Sequence, residues 1–140
     1  MRPNTNDLIK NDLVVYHASN HDFVKPDIIQ IQKNITNHIN GMLGLFFSTT
    51  NTPWFHLFGK NIYQIDVPND FNYEIISVKE YRRISSPPPE IEDGLLIEHF
   101  NSVRQGFINK GVDLILINES DDTCGMGIFI NLDIECKKIN

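Results

Sequence analysis

Apolar residues along this chain mostly fall in short alternating or clustered runs, and take on helical spacing over one long stretch. Leu13 to Tyr16 is a β-branched and aromatic run that predicts a strand, closing at His17 and the turn-like Ala18-Ser19-Asn20. Residues 21–43 mix polar and apolar positions weakly around Pro26 and Gly41, so an irregular segment with at most one helical turn is expected there. Gly44 to Ser48 reads as a second strand. Thr52 and Pro53 then read as the N-cap and first position of a short helix that Gly59 stops. Residues 61–67 alternate strictly, with Ile62, Gln64 and Asp66 on one face and Tyr63, Ile65 and Val67 on the other. Glu74 to Val78 predicts a fourth strand. After the Ser85 to Pro89 linker, Leu95, Leu96, His99, Phe100, Val103 and Phe107 recur at helical spacing, predicting a helix over 91–109 capped by Gly111. Val112 to Ile117 and Gly127 to Leu132 read as two last strands, separated by an acidic loop over 118–125. The pattern predicts one α+β domain over 13–140, with helices inserted between strands, behind a polar lead-in over 1–12.

Composition narrows the function classes. With 140 residues, 41% hydrophobic and 21% charged, the chain can bury one core and is not disordered throughout. A net charge of −6 has the wrong sign for gripping phosphate backbones, so direct nucleic-acid binding is not expected. Residues 1–12 hold no apolar signal core, and runs such as Leu114 to Ile117 are far too short to span a bilayer. Cys124 and Cys136 lack Cys-x-x-Cys spacing, which argues against a disulfide framework or a zinc site and for a cytoplasmic protein. Heavy use of Ile and Asn suits an AT-rich coding source, such as a phage or a low-GC bacterium.

No phosphate-binding or dinucleotide-binding glycine string is present, so the candidate chemistry sits at strand ends. His17 is either a ligand contact or a strand-terminal histidine bonded to backbone. Phe46 and Phe47 are adjacent in a strand and point to opposite faces, so one is core and the other is core or cleft. The 119–124 segment carries Glu119, Asp121 and Asp122, either as a solvated turn or as a source of a carboxylate. Other residues carry less. Acidic neighbours raise the pKa of a thiol at Cys124; His21, His38, His56 and His99 share no ligand spacing, so no metal is expected; Trp54 reads as a core or rim anchor; Arg82 and Arg83 read as solvated.

Taken in order, Val15-Tyr16-His17-Ala18-Ser19, then Gly44-Leu45-Phe46-Phe47-Ser48-Thr49, then Phe58-Gly59-Lys60-Asn61-Ile62-Tyr63-Gln64-Ile65-Asp66-Val67 resemble the NAD-binding core of the ADP-ribosyltransferase superfamily. The branch is the one that includes diphtheria toxin and the poly(ADP-ribose) polymerases. Lys110-Gly111-Val112-Asp113-Leu114-Ile115 and Met126-Gly127-Ile128-Phe129-Ile130-Asn131 are similar to two later strands of that family, so the resemblance spans 13 to about 135.

The resemblance implies a split β-sheet core with inserted helices and NAD as co-substrate. It implies that His17 bonds the adenosine-side ribose, that the Ala18 backbone holds the nicotinamide carboxamide, and that Phe46 stacks on the ring. Ser19 and Ser48 complete the expected contact set. One departure is serious: where the family carries its catalytic glutamate this chain has Met126, or Gly127 with a one-residue slip. A carboxylate is needed there to stabilise an oxocarbenium-like state, so Glu119, Asp121 and Asp122 are the expected substitutes. By strand alternation Glu119 would share a face with Asp113, Ile115 and Ile117. Size, acidity and coding flavour are similar to small phage-encoded anti-CRISPR members of the superfamily, implying a protein acceptor, a CRISPR–Cas subunit among them. Two readings lead, an NAD-dependent ADP-ribosyltransferase acting on a host defence component and an inactive domain of the same fold that works by binding; another NAD-consuming reaction, such as glycohydrolysis or transfer to a nucleic-acid base, is a distant third.

Overall fold

The computed structural model describes residues 13–33, 43–51, 58–86, 93–120 and 123–140. The expected short helix after Thr52, with Trp54 and His56, lies outside these residues, as do His38, the Pro87 to Pro89 linker and the 1–12 lead-in. Among the described residues seven strands form one mixed sheet: β1 (Val14–Ser19), β2 (Leu45–Ser48), β3 (Asn61–Asp66), β4 (Tyr73–Ser77), β5 (Leu114–Ser120), β6 (Thr123–Phe129) and β7 (Lys137–Lys138). Their order is β4-β5-β6-β2-β1-β3-β7. Among these strands the pair β4 and β5 alone runs parallel, joined through the helices α2 (Val78–Ser85) and α3 (Asp93–Asn109). A third helix, α1 (Ile28–Lys33), precedes β2.

Both faces of the sheet are packed, and alternation decides which residue meets which core. Val15, Phe47, Tyr63, Ile65, Leu114, Leu116 and Phe129 point to one face, under Phe23, Phe71, Ile134 and Cys136. Ile76, Ile115, Ile117 and Ile128 point to the other, where α2 contributes Tyr81 and Ile84 and α3 contributes Phe100 and Phe107. Leu96 and Val103 complete the α3 stripe, as its spacing predicts, while Leu95 is exposed. Gly111 ends the helix with φ +77°, its N–H on Ile108 O at 3.0 Å and the Val112 N–H on Phe107 O at 3.0 Å. Those two bonds satisfy the last carbonyls of α3 in a left-handed cap that favours glycine.

Several expectations need correction. β1 does not close at His17: His17↔Tyr63, Ala18↔Ile62 and Ser19↔Asn61 continue its ladder with β3, because pairing overrides turn propensity. The acidic 118–125 segment is mostly strand, paired Asn118↔Cys124 and Ser120↔Thr123. The strand expected over 127–132 is β6, which ends at Phe129, since the Ile130 and Asn131 N–H groups both turn to Asp113 O. α2 and β7 had no counterpart in the pattern. α2 did carry a signal, the capping-box spacing of Ser77 and Glu80: Ser77 Oγ accepts from the Glu80 N–H at 3.1 Å.

Candidate functional site

The seam between β1 and β2 is where the sequence places its chemistry, and its pairing is sparse. Tyr16↔Ser48 is the pair in register. At the next residue of β1 the His17 imidazole, not a backbone amide, reaches across, with Nδ1 donating to Phe46 O at 2.5 Å. The ring is flanked by Phe23 at 5.8 Å and Tyr63 at 6.5 Å, themselves stacked at 4.5 Å. Burial among these groups holds the imidazole pKa down to about 4, against the smaller upward pull of the carbonyl bond. His17 is therefore neutral at pH 7, protonated at Nδ1, and serves to stitch two strands.

The other expected NAD contacts do not gather around it. His17 pairs with Tyr63 on the face of the first core, whereas Phe46 packs with Met126 against the second. Phe46 lies 6.1 Å from the Phe58 ring, tilted at 52°. Ala18 is buried with Ile62. Ser19 Oγ accepts from the His21 N–H at 3.0 Å, a local turn bond. Ser48 is fully buried: its Oγ donates to Thr50 O at 2.7 Å, accepts from the Thr50 N–H at 3.2 Å, and lies 3.5 Å from Gly125 O on β6. That hydroxyl closes the turn after β2 and is not presented to a ligand.

Met126 stands opposite Ser48 on β2 and Ile117 on β5, half-buried against the second core. Gly127 has a packing role. The Phe47 ring lies over it, and a Cβ there would run into that ring and into Ile115 O. Glu119 sits within β5, half-buried. The register with β6 shifts between Ile117 and Asn118 and again before Ser120, so Glu119 stands in an irregular stretch of the ladder, where simple alternation does not assign its face. β5 and β1 are three strand spacings apart, roughly 14 Å, so Glu119 and His17 belong to separate neighbourhoods. Asp121 and Asp122 lie outside the described residues.

Among the described residues, three buried polar atoms on the sheet and α3 have no partner: Glu74 Oε2, Asn118 Oδ1 and Arg104 Nε. Arg104 projects from α3 and donates from Nη2 to Ile130 O at 2.7 Å, and burial lowers its pKa from the usual guanidinium range. A charged residue between Val103 and Phe107, next to an apolar stripe, was the visible signal for it. Cys136 is a buried free thiol, pushed up to about 12 by burial, and so unreactive. Among the described residues no three His, Cys, Asp or Glu side chains cluster as a cation requires, and no helix is long and apolar enough to cross a membrane.

No family model matches the chain, and no curated protein does. The ADP-ribosyltransferase resemblance therefore has no family match behind it. A solved structure described as the crystal structure of an anti-CRISPR protein superposes on 93% of this chain and 97% of its own, with a TM-score of 0.48 and 10% identity.

Proposed function

We propose that this domain acts by binding a protein partner rather than by turning over NAD, and that the partner is a CRISPR–Cas subunit, the class the sequence resemblance implies. The observation that carries the non-catalytic half is the placement of His17 and Phe46. Their side chains point to opposite faces of the sheet, and the one titratable ring among the expected contacts is neutral and bonded to Phe46 O. Met126, at the position of the missing carboxylate, adds only apolar packing. The charge of −6 fits a basic partner surface, of the kind that nucleic-acid-handling subunits carry.

The test pairs two measurements on the whole chain. Calorimetry with NAD is expected to give no binding heat, and incubation with a labelled NAD analogue and a purified CRISPR–Cas effector no labelled band, while the two proteins co-elute. A labelled effector would overturn the reading.

One observation favours the transferase as a second reading. The five quoted strings fall on β1, β2, β3, β5 and β6, which are contiguous in the sheet. On that reading Glu119→Gln, Asp121→Asn or Asp122→Asn should lower labelling about 10²-fold with NAD affinity nearly unchanged.

A further inference from the structure

The sheet ends in two very different edges. β7 is two residues long, and both are exposed lysines. Short length and charge are the usual ways to keep an edge from recruiting another strand. β4 is longer and less guarded: its five residues, Tyr-Glu-Ile-Ile-Ser, contain no lysine, proline or bulge, and its one charge, Glu74, lies on the half-buried face. Tyr73 and Ile75 are 42% and 38% exposed, on the same face. Leu114 N–H donates to Asn72 O, and Tyr73↔Leu114 is the parallel register. The backbone groups of Asn72, Glu74 and Ile76 therefore point to β5, and those of Tyr73 and Ile75 point outward. Among the described residues nothing pairs with them.

The opposite face of β4 carries Glu74, whose Oε2 is buried with no donor among the described residues. From these features we infer that the β4 edge binds an extended segment of the partner protein by strand addition. The segment is apolar where it meets Tyr73 and Ile75, and carries a lysine or arginine across from Glu74. This rests on the binding reading above and gives it a surface. Charge argues against a second copy of this chain as the occupant. Antiparallel pairing about Ile75 would set Glu74 against Ile76 of the second copy, leaving the carboxylate without a donor, and two chains of −6 repel.

The probes are two short peptides of alternating valine and threonine, one with a central lysine and the other with a central glutamate. Saturating lysine peptide should slow hydrogen exchange at the Tyr73 and Ile75 amides of the whole chain by about tenfold or more. It should bind roughly three- to tenfold tighter than the glutamate peptide. Ile75→Pro removes an outward N–H without touching the β5 ladder and should abolish the protection. Ile75→Lys, at an exposed position, should do the same with the fold retained. Equal binding of the two peptides, protection at other amides instead, or a dimer that Ile75→Lys dissolves would each overturn the inference. An effector captured equally by wild type and Ile75→Lys would overturn the edge and leave the binding reading standing. Label transfer from NAD would overturn that reading and leave the peptide result intact.

Discussion

Along β6, strand β2 is paired at four consecutive positions, from Leu45↔Phe129 to Ser48↔Met126. Along β1 it holds Tyr16↔Ser48 before the His17 ring takes over at the Phe46 carbonyl. The first seam is a backbone ladder sealed by Phe47 lying over Gly127, and its strength comes from packing. The second joins one backbone pair to one side chain whose charge state depends on pH. The sheet is therefore robust on one side of β2 and conditional on the other.

The zipped seam should break hardest. Gly127→Val puts side-chain atoms where Phe47 and Ile115 O already are, and with no slack in the backbone the expected cost is ~3 kcal/mol or more. A cooperative melt near the wild-type temperature would mean that β6 can shift away from β2. Phe47→Ala should cost about 3–5 kcal/mol, since the ring is fully buried, and Phe46→Ala only ~1–2 kcal/mol, since its ring is only partly buried. Equal losses in denaturant titrations would contradict the assignment of the two rings to different environments.

The conditional seam should respond to acid. An unfolded imidazole titrates near 6.5 and His17 in the fold near 4, so folding favours the neutral ring. Its contribution is complete above about pH 6.5 and falls away as pH drops towards 4. The loss is about 2 kcal/mol once partial exposure of the ring to water is allowed for. Urea midpoints at pH 7, 5.5 and 4.5 measure it, and His17→Phe should flatten that part of the slope. An unchanged slope in the variant would assign the acid sensitivity to other groups. The smallest effect expected is from Ser48→Ala, about 1 kcal/mol for the lost bonds to Thr50, read as a small shift in thermal midpoint.

What was legible in the sequence follows from which forces are local. The alternation of β3, the α3 stripe from Leu96 to Phe107 and the Gly111 cap could be read because each depends on neighbours in the chain. That Phe46 and Phe47 face opposite ways was equally plain. Which of them shares a face with His17 was not, because that depends on the β1–β2 register, a pairing between distant segments. The strand character of Glu119 was hidden for the same reason: polar residues there are held by ladder bonds to β6. The Ser77 and Glu80 cap of α2 is equally local, a spacing of three residues that marks a helix start in the sequence itself.

The order of strands in the sheet also constrains the order in which the sheet can assemble. β5 and β6 are near neighbours in the chain, with Ser120 paired to Thr123, and can meet quickly. β2 must wait for β6, and β3 for β7, across most of the later chain. During synthesis β1, β2 and β3 emerge first, yet one long side of both β2 and β3 has no partner until the last strands appear. A nascent or C-terminally shortened chain thus carries unpaired strand edges, a state prone to aggregation. Ribosome-stalled chains ending before β6 should be sensitive to protease where the complete domain is not.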